Sequence, residues 1–139
     1  WCARLEAALG RVRAHAGARP PRQVLYLIWR KPWMTVTPDT YVSAMLREVG
    51  WHTVPAVSAQ RYPALDDTAL QALAPDLCLL SSEPYPFRER HLREVEALVG
   101  MQVPVRLVDG EMISWYGSRA VAGLDYLARF AAEALAPAA

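Results

Sequence analysis

Four short apolar stretches of this sequence each run into a polar or aromatic segment, and those segments hold the residues best suited to recognising a ligand. After Val24 to Trp29 come Arg30-Lys31-Pro32-Trp33-Met34. After His52 to Val57 comes Arg61-Tyr62-Pro63. Leu77 to Ser81 is followed by Ser82-Glu83-Pro84-Tyr85-Pro86-Phe87, and Val103 to Val108 by Asp109-Gly110-Glu111-Met112-Ile113-Ser114-Trp115-Tyr116-Gly117. Counting Trp29 at the edge of the first, three of the five tryptophans and three of the six tyrosines fall in these segments. Any one of these rings, taken singly, reads first as a lid packed over the core. Gathered at one rim, they suit stacking on a large, flat, partly apolar ligand.

Signatures of catalysis are missing from the sequence. No Gly-rich phosphate loop or dinucleotide fingerprint follows the first apolar run. Ser82 does not sit in a nucleophile elbow. His15, His52 and His91 stand alone: His15 and His91 lie on helical patterns beside charged residues and are expected to be solvated, and His52 suits a polar strand edge. No pair has the spacing of metal ligands. The two cysteines, Cys2 and Cys78, are too few for a disulfide framework. Cys78, inside Leu77-Cys78-Leu79-Leu80, reads as a small buried hydrophobe. The carboxylates Asp66, Asp67, Glu83 and Glu111 lie near loops, and an acid at a helix start is already explained by the helix dipole. Recognition, not reaction, is the expectation.

The elements that would position these segments alternate along the chain. Leu5, Ala8, Leu9 and Val12 form a helical stripe over residues 2–16, closed by Gly17 and Pro20-Pro21. The four apolar runs have strand length, and three are nearly continuous, as when both faces of a parallel sheet are covered. Thr37-Pro38-Asp39 reads as the cap and first turn of a helix carrying Val42, Met45, Leu46 and Val49 up to Gly50. Shorter helical patterns start near Asp66 and at Pro86, the latter running to Gly100. A last one starts near Ser118 with Val121, Leu124, Leu127 and Ala131 inward. Strands alternating with helices predict an α/β fold: a three-layer, Rossmann-like lobe with a mainly parallel four-stranded sheet and helices on both faces.

Bulk properties agree. A chain of 139 residues fits one domain, and 53% hydrophobic with 21% charged residues is globular. A formal net charge of +1 gives no broad basic surface for nucleic acid. No apolar run reaches the roughly 20 residues of a transmembrane segment. The chain opens on Trp1 and is expected to be a processed or excised piece of a longer protein.

The strings Pro32-Trp33-Met34 with Thr40-Tyr41, Ala74-Pro75-Asp76-Leu77 through Ser81-Ser82-Glu83-Pro84-Tyr85-Pro86-Phe87, and Asp109-Gly110-Glu111-Met112-Ile113-Ser114-Trp115-Tyr116-Gly117-Ser118-Arg119 resemble the C-terminal half of the cobalamin- and siderophore-type periplasmic binding proteins. These are receptors of ABC importers, with a rigid helix joining two lobes. The resemblance implies that residues 1–19 are the end of the inter-lobe backbone helix and its connection, and residues 20–139 the C-terminal ligand-binding lobe. It implies a periplasmic location and no catalysis. No covalent cofactor is implied, the ligand being a corrinoid, haem or ferric chelate whose metal arrives already chelated. It implies an ABC permease, with its ATPase reached through the permease, and an N-terminal lobe as partners. Carried over by position, Trp33, Met34 and Tyr62 would face ligand, as would Asp109, Glu111, Met112, Trp115 and Tyr116 in a loop closing over it. Permease docking, an exposed carboxylate in the family, falls at Thr68, with Asp67 beside it as the better candidate; Asp66 reads as an ordinary helix cap.

An alternative is a flavodoxin-like α/β domain holding a nucleotide or small effector. It requires phosphate at a helix N-terminus after a strand. Only Ser81-Ser82 supplies small polar residues there, and Pro84 and Pro86 remove amide donors from the next turn.

Overall fold

The computed structural model describes residues 2–17, 20–100, 102–114 and 120–134, with the side chains of 2, 15–17, 114 and 134 left out. The strands are β1 (Arg22–Trp29), β2 (Trp33–Thr35), β3 (Trp51–Thr53), β4 (Ala64–Leu65), β5 (Leu77–Ser81) and β6 (Val105–Val108). The helices are α1 (Cys2–Gly17), α2 (Tyr41–Arg47), α3 (Asp67–Ala72), α4 (Leu92–Val99) and α5 (Ala120–Ala134). The four apolar runs become β1, β3, β5 and β6, and every pairing among them is parallel.

Among the described residues the expected four strands are six. β1 pairs along one edge with β5, from Val24↔Leu77 to Leu27↔Leu80. Its other edge is shared: β3 takes Arg22 to Val24, while β2 folds back antiparallel on Leu27 and Trp29. β4 then pairs antiparallel with β2. Two and three residues are too few to leave a periodic signal, so the sequence of Trp33 to Thr35 carries no strand pattern.

Side chains alternate across the sheet and divide the core in two. Val24, Tyr26, Leu77 and Leu79 face α1, α2 and α5, packing with Ala8, Val12, Leu46, Leu124 and Leu127. Leu25, Leu27, Cys78 and Leu80 face α3 and α4, packing with Leu70 and Val95. Helices on both faces complete the three layers. Cys78 is fully buried, and that burial pushes its thiol pKa up, so it behaves as an apolar filler.

Several local boundaries moved for identifiable reasons. The cap of α2 is Thr40, not Thr37: the Thr40 hydroxyl accepts from Ser43 N (3.1 Å) and itself donates to Thr37 O (2.9 Å). Thr37 instead donates to Arg61 O (3.1 Å), tying the start of α2 to the Tyr62 segment. Asp66 caps α3 through Ala69 N (2.7 Å), as its sequence position predicts. The segment from Pro86 forms a 3-10 turn at Glu89–His91 before α4 begins. His91, expected in solvent, is buried: its Nδ1 accepts from Arg88 N (2.9 Å), and its ring meets Tyr85 and Phe87 edge-on. Neighbouring charges in sequence hid that inward side. The side chain of His15 lies outside the described residues.

Candidate ligand-binding site

A cavity of about 610 Å³ opens at the carboxyl ends of β1 and β5, on the α2 side of the sheet. Open parallel sheets place ligands there because the loops beyond the strand tips diverge and leave a crevice. The floor is Tyr26, Ile28 and Ser81. Met34 and Val36 line one side as the chain returns through β2, and Thr40, Tyr41 and Val42 line another at the start of α2. Trp29 and Tyr62, 39% and 46% exposed, stand at the rim with Glu83 and Pro84. The lining is mostly apolar with a few polar groups, the composition that binds a large organic ligand.

The floor is held by hydrogen bonds. Tyr26 is buried and its hydroxyl donates to Ser81 Oγ (3.1 Å), which in turn donates to Glu83 O (2.7 Å). Burial pushes the Tyr26 phenol pKa well up, and the nearby carboxylates of Glu83 and Asp109 add to the rise, against the Ser81 hydrogen bond. Tyr26 therefore stays neutral at physiological pH. Gly110 lies against the Ser81 hydroxyl so closely that a Cβ there would strike it. At the rim, Trp29 packs edge-to-face on Tyr85, with centroids 5.5 Å apart.

Of the residues expected at the ligand, Met34 and Tyr62 line the cavity. Trp33 does not. It is 5% exposed and packed in the α3/α4 core, with Nε1 donating to Asp67 Oδ1 (2.8 Å). The reason is strand geometry: Trp33 and Met34 are consecutive in β2, so their side chains take opposite faces. Asp109 lines a separate, smaller depression with Ser82, Phe87 and Arg88, and its Oδ1 accepts from Glu111 N (3.1 Å) and Met112 N (3.3 Å). Its carboxylate thus shapes its own turn. Glu111 is exposed and Met112 half-buried, and neither lines the cavity. Trp115 and Tyr116 lie outside the described residues. Asp67 and Thr68 are exposed in the first turn of α3.

Sequence reasoning missed Tyr26 and Ser81, which sat inside apolar runs, and gave no separate role to Tyr41. The signal was the period of two along β1: Tyr26 and Ile28 share a face, so the strand end projects both into one crevice. Among the described residues no group of three or more His, Cys, Asp or Glu side chains could hold a metal ion, and no helix is long and apolar enough to cross a membrane.

No family model matches the sequence, and no curated protein matches it closely. Solved structures do match in shape. The periplasmic vitamin B12 binding protein of Vibrio cholerae superposes with a TM-score of 0.73 at 15% identity, covering 93% of this chain and 51% of that one. The periplasmic heme-binding protein of Roseiflexus sp. RS-1 gives 0.73 at 21% identity, with 95% and 54% covered. An ABC-type Fe3+-hydroxamate transport protein of Saccharomonospora viridis gives 0.69 at 15%, with 96% and 48% covered. The chain has the fold of one lobe of the periplasmic binding proteins. It spans about half the length of these structures.

Proposed function

We propose that this chain is the C-terminal lobe of a periplasmic substrate-binding protein serving an ABC importer, and that it holds a corrinoid, haem or ferric chelate against a second lobe. The observation that carries this reading is the cavity at the strand tips, rimmed by Trp29 and Tyr62 and lined by Tyr26, Met34 and Tyr41. Such a surface stacks on a flat or bulky apolar body and fixes it with few hydrogen bonds. Its carboxyl-end position is the one a lobe would present to a partner lobe. A metal delivered inside its own chelator needs no protein ligand set, and capture and release need no catalytic group.

In this reading Asp109, Glu111 and Met112, which lie outside the cavity lining, reach ligand only as the second lobe closes over it; the turn after β6 is tied to the β5 end, where Gly110 N donates to Ser82 Oγ (3.0 Å). Trp33 supports the site from beneath rather than touching ligand. Residues 1–19 are the end of the helix joining the lobes together with its connection, and α1 packs on α5 through Ala8 and Val12. Asp67 and Thr68 offer an exposed contact for the permease, where charge steers association more than it adds affinity.

The test is a fluorescence titration of the protein made from its complete reading frame. Trp29, half in solvent at the rim, should be quenched by a cobalamin, haem or a ferric siderophore, and Trp29→Phe should remove most of the signal. Thermal stabilisation by ATP or FMN without response to any chelate would favour the nucleotide-binding alternative instead.

A further inference from the structure

Among the described residues, those around the main cavity carry one formal charge. Tyr26, Trp29, Tyr41 and Tyr62 are aromatic, the remainder are aliphatic, thioether, hydroxyl or proline side chains, and the exception is Glu83. Glu83 is exposed at the rim, and no hydrogen bond or ion pair engages its carboxylate among the described residues. The cations adjoining these residues in sequence, Arg30, Lys31 and Arg61, and Arg88 beyond Glu83, do not line the cavity. Arg30 is paired with Glu94 at 3.0 Å, and Lys31 borders the depression on the α3 side with Trp33 and Asp67. Asp109 adds a second negative charge within electrostatic reach of the floor, since it and Glu83 both act on Tyr26. Glu83 stands at the edge of an apolar wall with no opposite charge in the described lining, so it biases ligands by charge, in part screened because it is exposed.

Resting on the receptor role proposed above, we infer that Glu83 makes this lobe selective for neutral or cationic chelates rich in hydrogen-bond donors, and against chelates that present carboxylate or catecholate charge. A corrin bears amide N–H groups that a carboxylate accepts from, and a cationic ferric trihydroxamate gains Coulomb attraction. Haem propionates and a ferric tricatecholate bring anions toward an anion. Repulsion of this kind gives specificity by penalising the wrong partner, with no added contact to the right one.

The experiment uses the protein from its complete reading frame and four probes: cyanocobalamin, ferrioxamine B, haem and ferric enterobactin, titrated by fluorescence quenching. Neutral or cationic probes should bind about tenfold or more tighter than anionic ones of similar size. Glu83→Gln keeps the shape and removes the charge. It should improve anionic probes by about fivefold and weaken ferrioxamine B, and weaken cyanocobalamin less, because the amide oxygen still accepts from the corrin amides. Should the variant fold poorly, added salt serves the same end on the unaltered protein, since screening should raise affinity for the anionic probes. Tighter binding of anionic probes, or probe ratios unmoved by both Glu83→Gln and salt, would overturn the charge selectivity and leave the receptor role standing. No binding by any of the four would overturn the receptor role and this inference with it.

Discussion

At the scale of single residues, neighbours in sequence divide between support and contact. Trp33 fills the α3/α4 core and gives its indole N–H to Asp67, while Met34 faces the cavity. Trp33→Phe should therefore lower stability by about 1–2 kcal/mol, through lost packing and the lost hydrogen bond. It should leave ligand affinity within about twofold, as denaturant unfolding and titration of one preparation would reveal. Gly110 tests the floor in the opposite manner. A methyl at this position meets the Ser81 hydroxyl that joins Tyr26 to the Glu83 backbone. Gly110→Ala should cost about 1–3 kcal/mol as an overpacked site and displace the Glu83-Pro84 rim. Weakened ligand binding in the folded variant is the expected outcome, and an unchanged affinity would show that the rim does not depend on Ser81.

At the scale of elements, two junctions set the behaviour of the lobe. The 3-10 turn before α4 buries His91 with Nδ1 facing the Arg88 amide hydrogen, so protonation there would oppose N–H to N–H. Burial, then the positive charges of Arg90 and Arg30, hold the imidazole pKa below its usual value. Folding thus favours the neutral ring. Its contribution is fully present above the unfolded-state value near 6.5 and is lost as pH falls from there through the folded-state value. Urea midpoints should drop between about pH 7.5 and 5, and the part due to this ring should vanish in His91→Gln. The second junction is α1 on α5. Val12 is fully buried there, whereas Arg11–Asp125, at 3.0 Å, has side chains 59% and 45% exposed. Val12→Ala should cost about 2 kcal/mol and Arg11→Ala less than about 0.5, so thermal unfolding of the two variants separates apolar packing from surface charge.

At the scale of the whole molecule, the cavity is a concave half-surface open beyond the strand tips. If a second lobe supplies the other half, residues 1–139 alone should bind any of the proposed ligands at least about a hundredfold more weakly than the two-lobed protein. Half the contacts would have to offset nearly the same loss of ligand freedom. Isothermal titration of the two forms side by side would check this, and equal affinities would sink the two-lobed reading.

The α/β class, the strands β1, β5 and β6, the buried stripes of α2 and α5 and the Asp66 cap were legible in the residues because each depends on local periodicity or on a hydrogen bond spanning three positions. The rim aromatics were legible as a set for the same reason: they follow the ends of apolar runs. Which rings meet was not. The fold-back of β2 on β1, a pairing between segments too short to show a period, turned Trp33 inward and Met34 outward. The Thr37–Arg61 bond ties the Tyr62 segment to the start of α2, and Tyr62 lines the same cavity as Tyr26. The composition of the crevice, and the Glu83 carboxylate at its edge, come from contacts between strand tips far apart in the chain. Side-chain direction there is decided by tertiary pairing, which no local pattern encodes.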